Sequence, residues 1–324
     1  MSRILKNFST TFKTILYVSM ACCICGAINA QTAQQSVAPP SVRIGVLVLD
    51  NSKHAVTDVK QEELRVLEDG VEQTISLFAR DARPLSFALA IDSSGSLRTQ
   101  HGQVIEAGRK FIRSTGPGDE GFVMRFVDND HIEVLQDYTS NKTDLLDSLD
   151  DIFPEQGATA FVDAVYLAAE KISQHKKATG DETHRRVLVL VTDGDDRGSF
   201  YKADKLFKLL RESDVQIFAI GLVDELDKED QGSIFPRKPR KHAVALLDRL
   251  ASETGGRVYY PGSPDEVSKA VSDLVSDLRA QYVIGYSTAP NKKSKSYRKV
   301  SVSMAGAKET RAVIARTGYT VSSK

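Results

Sequence analysis

Three short and almost wholly apolar runs set the limits on what this chain can fold into. Residues 85–91, 187–191 and 216–222 carry apolar side chains at nearly every position instead of at alternate ones. A strand with one wet face alternates, whereas a strand covered on both faces need not. Between and after these runs, apolar residues recur at helical spacing over residues 103–113, 142–149, 161–172, 201–211, 242–254 and 264–279. Strands alternating with helices predict an α/β domain: a doubly wound, mostly parallel, Rossmann-like sheet with helices on both faces. Residues 121–127 and 131–135 flank Asp128-Asn129-Asp130 and read as a hairpin that adds one antiparallel edge strand.

The pattern on either side is different. Val42, Ile44, Val46 and Val48 alternate on one face, as in a strand. Residues 64–67 and 71–78 flank Asp69-Gly70, a strong hairpin signal because that turn needs positive φ. After the α/β region come residues 282–286, the alternating Val300, Val302 and Met304, and residues 312–315. Each β piece has too few strands for a secure core. They are expected to pair into one small sandwich, a segment over 42–84 with a segment over 281–322. The α/β domain over 85–280 is then an insertion whose ends lie close together.

Residues 1–30 have the layout of a secretory signal peptide. Arg3, Lys6 and Lys13 precede an apolar run over residues 15–28, and small residues follow, with Ala30 the last before cleavage. The run is short for a membrane span, which takes about 20 residues. An uncleaved anchor or a lipidated Cys22 are the alternatives. Residues 31–41 read as a linker. The expected location is secreted, periplasmic or outer-envelope associated, with no membrane span after signal cleavage. All three cysteines, Cys22, Cys23 and Cys25, lie in the leader, so the rest of the chain can form no disulfide and no thiolate metal site. The whole sequence balances 43 Lys and Arg against 43 Asp and Glu, and losing the leader tilts it toward acid. A nucleic-acid partner, which wants a basic excess, is therefore not expected.

The first apolar strand ends in Asp92-Ser93-Ser94-Gly95-Ser96, and the second in Thr192-Asp193-Gly194. Gly157-Ala158-Thr159 opens the helix at Phe161. In open parallel sheets, ligands bind beyond the carboxyl ends of the strands where strand order reverses. If the two strands meet there, Asp92, Ser94, Ser96, Thr159 and Asp193 converge. All five offer hard oxygens, which suit Mg²⁺, or Mn²⁺ or Ca²⁺, over zinc or copper. With only two carboxylates the ion stays electrophilic, so an acidic group from a partner can fill an open position. Gly95 suits the tight turn between Ser94 and Ser96.

Asp92-x-Ser94-x-Ser96, Thr159 and Asp193 resemble the metal-ion-dependent adhesion site of von Willebrand factor type A domains, over about residues 85–280. Longer stretches, Val66-Leu67-Glu68-Asp69-Gly70-x-x-Gln73, Thr192-Asp193-Gly194-x-Asp196-x-Gly198-Ser199, Tyr282-x-Ile284-Gly285-Tyr286 and Arg316-x-Gly318-Tyr319, resemble a secreted bacterial family best known from acidobacteria. That family carries the domain between flanking β segments. Leu97 departs from the Met of many relatives, at a position that touches no ligand.

The resemblance implies a binding module that holds a divalent cation and captures an acidic group on a protein or surface polymer. Asp163 is expected to support the site or cap its helix, and Asp195 and Asp196 to be solvated. The charged loop after the third strand is expected to help choose the partner through Asp224, Glu225, Arg237 and Lys238. A metal-dependent hydrolase is one alternative; a structural envelope protein with a vestigial site is another. The six histidines show no ligand spacing, only His101 falls near the site, and there is no G-x-S-x-G elbow, P-loop or G-x-G-x-x-G. The chain is therefore not expected to be an enzyme.

Overall fold

The computed structural model describes residues 42–180, 183–226, 238–288, 297–306 and 310–321. The leader, the linker over 31–41 and Arg237 lie outside the described residues.

A central sheet of six strands runs through the α/β region. Its strands are β5 (Leu85–Asp92), β6 (Glu120–Phe126), β7 (Ile132–Thr139), β8 (Arg185–Thr192), β9 (Gln216–Gly221) and β10 (Val258–Tyr259). The spatial order is β10-β9-β8-β5-β6-β7. All pairs are parallel except β6 with β7, which form the expected antiparallel hairpin. The helices are α1 (His101–Arg113), α2 (Lys142–Asp147), α3 (Phe161–Thr179), α4 (Ala203–Glu212), α5 (Pro239–Thr254) and α6 (Pro264–Ala280).

The apolar runs are explained by what covers each face. Phe87, Leu89 and Ile91 of β5 and Val187, Val189 and Val191 of β8 pack with Val104, Phe111, Leu145, Val271 and Leu274, from α1, α2 and α6. The residues between them, Ala88, Ala90, Leu188 and Leu190, pack with Phe161, Val165, Phe207 and Leu247, from α3, α4 and α5. Successive strand side chains point to opposite faces, so two covered faces demand an unbroken apolar run. Each large side chain buried this way contributes about 1.5–3 kcal/mol.

Helix ends follow local chemistry. Asn141 caps α2, its side chain accepting from the Thr143 amide at 3.0 Å. Pro239 begins α5 three residues before the periodicity does, because its fixed φ suits the first helical position. Gly180, at φ 64°, ends α3 in the left-handed conformation.

Two antiparallel four-stranded sheets make up the rest. One has the order β13 (Ala312–Ala315), β1 (Val42–Leu49), β11 (Tyr282–Tyr286), β4 (Ile75–Arg80); the other has β14 (Gly318–Thr320), β12 (Tyr297–Met304), β2 (Leu64–Glu68), β3 (Val71–Gln73). Strands from the two ends of the sequence alternate in the first sheet, and in the second β14 and β12 lie on one side of β2 and β3. Their shared core holds Val42, Ile44, Val46, Val48, Val66, Tyr282, Ile284, Tyr286, Val300 and Met304. Where the α/β region enters and leaves, the Asp81 amide donates to the Gln281 carbonyl at 2.9 Å. The fold is thus a doubly wound α/β sheet inserted in a small sandwich of N- and C-terminal strands.

One expected strand divides. Residues 71–78 read as continuous, but β3 pairs with β2 while β4 pairs with β11 in the other sheet, so the chain changes sheets at Thr74. Asp69 (φ 51°) and Gly70 (φ 82°) form the turn before it.

Beneath that turn, buried Glu68 accepts from the hydroxyls of Tyr286 (2.9 Å), Tyr319 (2.8 Å) and Thr288 (2.5 Å). One carboxylate on β2 thereby gathers hydroxyls contributed by the C-terminal segment.

Candidate metal centre

From β5 the chain moves outward through β6 to β7; β8 returns to the other side of β5, and β9 and β10 continue outward from there. Strand order therefore reverses between β5 and β8, and Asp92 and Thr192 are their last residues. The peptide planes beyond these ends have no further strand to pair with, which leaves a crevice where side chains of both loops meet.

The meeting is direct. Asp92 Oδ2 accepts from Thr192 Oγ1 at 2.6 Å, and Asp92 Oδ1 accepts from the Ser94 amide at 3.0 Å. Ser94 Oγ lies 3.1 Å from Ser96 Oγ, and Ser96 Oγ donates to Asp193 Oδ2 at 2.6 Å. Asp193 Oδ1 accepts from the Asp195 amide at 3.0 Å. A chain of oxygens thus links β5 to β8 with no intervening apolar group.

Thr159 is carried by a segment clamped to both loops. The Glu155 amide donates to the Ser93 carbonyl at 2.8 Å, and the Thr159 carbonyl accepts from the amides of Arg197 (2.8 Å) and Gly198 (3.0 Å). One glycine is required by these loops. A Cβ on Gly95 would meet only the end of the flexible Gln156 side chain, at 2.9 Å. Gly194 has φ +73°, where a side chain is strained, and a Cβ would also meet Leu247 at 2.9 Å.

Electrostatics set this cluster apart. Asp92 and Asp193 are each 1% exposed, and among the described residues neither has a cationic partner. Burial pushes the Asp92 carboxyl up from its ordinary value. Burial, and then the nearby Asp92 charge, push Asp193 up to about 7. Two buried carboxylates this close repel in the absence of a positive charge between them. Among the described residues no group of three or more His, Cys, Asp or Glu could hold a metal. This donor set is of another kind, two carboxylates completed by hydroxyls, and it fits a hard divalent cation.

The raised carboxyl has a consequence for stability. Asp193 binds its proton more tightly folded than unfolded, so its contribution is fully present below about pH 4 and is lost as pH rises through about 7. In EDTA, the melting temperature of the wild type is expected to fall between about pH 5 and pH 8, and by several degrees more than that of Asp193→Asn. Parallel pH profiles for the two proteins would contradict the assignment.

The surrounding carboxylates divide the supporting work. Asp163 accepts from the amides of Phe200 (2.7 Å) and Tyr201 (2.7 Å), fixing the loop after Asp193 to α3. Asp195 is buried and pairs with Arg197 at 2.5 Å, and Asp196 accepts from the Val162 amide at 3.2 Å and Ser199 Oγ at 2.5 Å. Asp195 departs from the solvated residue expected, because it is buried against Arg197, whereas Asp196 is exposed as expected and also accepts from the first turn of α3.

In the charged loop, Asp224 pairs with Arg240 at 2.8 Å. Glu225 lines a water-sized cavity of about 10 Å³ together with Ser96, Gln100 and Asp193. Lys238, at φ 55°, precedes α5. Sequence reasoning missed Gln100, whose buried amide nitrogen has no hydrogen-bond partner among the described residues and which carries no motif signal. Three of the six histidines have partners outside the cluster: His101 bonds the Ile152 backbone, His131 Asp128, and His175 Glu120.

The sequence model of the von Willebrand factor type A domain matches residues 87–273, more than half of the chain. The chain belongs to this family. Solved structures similar to this VWA chain include an aerotolerance-related membrane protein from Bacteroides fragilis (21% identity, 59% of this chain and 98% of that chain, TM-score 0.43). BatB from Bacteroides thetaiotaomicron is another (17%, 59% and 98%, TM-score 0.40). A third is proximal thread matrix protein 1 from the mussel byssus, in a form described as having a zinc-occupied MIDAS motif (20%, 66% and 50%, TM-score 0.45). No curated protein sequence matches the chain. Among the described residues no helix is long and apolar enough to cross a membrane.

Proposed function

We propose that this VWA protein is a secreted or envelope-associated binding module. It holds a divalent cation, Mg²⁺ or alternatively Mn²⁺ or Ca²⁺, through Asp92, Ser94, Ser96, Thr159 and Asp193. The cation captures an acidic group presented by a protein or surface polymer. Residues 85–280 form the binding domain, and 42–84 with 281–322 form its mount. The observation that carries this reading is the pair of buried carboxylates, linked through two serine hydroxyls and without a cationic partner among the described residues, at the point where strand order reverses. A cation there offsets their repulsion, and hydroxyl ligands leave it charge to spend on a partner. In this reading Glu225 borders the partner's approach, with Asp224, Arg237 and Lys238 on the same loop.

The surroundings suit a protein partner. Phe153 is 62% exposed and Phe200 80% exposed, the only exposed phenylalanines among the described residues. Phe153 stands two residues before Glu155, which is bonded to Ser93; the Phe200 amide is held by Asp163. Both therefore belong to loops that surround the oxygen donors. Exposed aromatic rings of this kind supply much of the energy at protein interfaces.

The test is a pull-down from envelope extracts with the wild type and Asp92→Ala, in Mg²⁺ and in EDTA. Capture that needs both Mg²⁺ and Asp92 supports the reading; equal capture in EDTA rejects it. The double variant Phe153→Ala, Phe200→Ala is expected to keep its Mg²⁺-dependent thermal shift while weakening capture by about 10- to 100-fold, roughly 1.4–2.8 kcal/mol. Capture at wild-type strength would remove the rings from the interface.

A further inference from the structure

The opposite end of the parallel sheet carries a different chemistry. At the edge where β8 and β9 begin, a cavity of about 720 Å³ opens between the last turns of α3 and α4 and the strands β1 and β14. A smaller cavity of about 110 Å³ runs on beneath Arg185 and Arg186, and the two share Arg43, Ile44, Asp214 and Arg316. Together they form one groove, within the size range of ligand sites.

Positive charge exceeds negative charge along this groove. Asp214 serves two cations, Lys176 at 2.9 Å and Arg186 at 3.0 Å. Asp81 also serves two, Arg83 at 2.7 Å and Arg185 at 3.5 Å. Among the described residues Arg316 has only carbonyls, donating to Ser213 (3.0 Å), Leu210 (3.3 Å) and Gly318 (2.8 Å). That arrangement is partly structural, because the end of α4 presents carbonyls with negative partial charge. It does not account for Arg43. This residue is exposed on β1, lines both cavities, and has no hydrogen-bond or ion-pair partner among the described residues. Among the described residues seven Lys and Arg line the groove with three carboxylates, Asp81, Glu212 and Asp214, and a fourth, Glu253, holds Arg211 at 2.8 Å. Burial also lowers the Arg185 guanidinium to about 10 and lowers Arg316.

We propose that this groove is an anion-binding site, separate from the metal face, for a ligand carrying two or more linked phosphate groups, with Arg43 as its free recognition residue. Planar guanidinium forks match phosphate oxygens two at a time, and a diphosphate brings enough charge to balance the surplus. The proposal does not depend on the metal reading, since the two sites share no residue and lie at opposite ends of the sheet.

The experiment is calorimetric titration of the full chain with inorganic pyrophosphate at fixed ionic strength. EDTA is present throughout, so that the metal face takes no part. Saturable binding is expected, at least tenfold tighter than that of citrate and weakening as NaCl is raised. Arg43→Glu should lose at least tenfold in affinity while keeping the wild-type melting temperature, because Arg43 holds nothing in the fold. Asp193→Asn should bind pyrophosphate like the wild type. The proposal is overturned by no saturable pyrophosphate binding, by citrate binding equally well, or by Arg43→Glu binding with unchanged affinity.

Discussion

Asp193→Asn is expected to make the metal-free protein more stable and the metal-loaded protein impossible to form. Replacing a buried polar residue normally costs stability. Here the wild-type carboxylate is buried beside Asp92 with no cation among the described residues to balance it. The amide keeps an oxygen to accept from the Asp195 amide and removes the like charge. At about pH 8 in EDTA the gain should be about 1–3 kcal/mol, the range by which removing an unbalanced buried charge pays back its desolvation. Added Mg²⁺ should raise the melting temperature of the wild type and leave Asp193→Asn unmoved. Asp92→Ala should also lose the Mg²⁺ response while keeping the fold. Its intrinsic stability should change less favourably, because Thr192 and the Ser94 amide lose their acceptor. Circular dichroism melts with and without Mg²⁺ separate these outcomes. A destabilised Asp193→Asn that still responds to Mg²⁺ would place the cation elsewhere.

The second large effect lies far from the site. Glu68→Ala is expected to cost about 3–6 kcal/mol, because three hydroxyls, of Tyr286, Tyr319 and Thr288, lose their common acceptor at once. Glu68→Gln keeps an acceptor and should cost less than half as much. Since those hydroxyls come from the C-terminal segment, the loss should loosen the pairing of the two chain ends before it reaches the central sheet. Hydrogen exchange should show faster opening of β11 and β14 than of β5 and β8. Uniform loss of protection across both regions would show that the sandwich and the α/β sheet unfold as one unit.

Much of this architecture was legible because the central strands are covered on both faces. Residues 187–191 could not be apolar throughout and remain soluble in any half-exposed strand. The Asp-Gly turn at 69–70 was legible because few residue pairs tolerate two positive φ values. The sheet change at Thr74 was not, since alternation reports which face is buried and says nothing about which sheet does the burying. β14 has three residues, too few for a period to show. At the site, motif and strand-end position pointed to Asp92, Ser94, Ser96 and Asp193, which hydrogen bonds link beyond the ends of β5 and β8. Asp195 was misread because short acidic loop residues look alike in sequence whether they meet water or pair with a neighbouring guanidinium. Gln100, the exposed Phe153 and Phe200, and the surplus of arginines in the groove emerge only from three-dimensional placement.

The most direct measurement is a crystal structure of the wild type grown in Mn²⁺, read by anomalous scattering. The account predicts one metal peak at the carboxyl ends of β5 and β8, among Asp92, Ser94, Ser96, Thr159 and Asp193, and no peak there in Asp193→Asn. A wild-type crystal at saturating Mn²⁺ with no peak between those side chains, or with its only peak elsewhere, would contradict it.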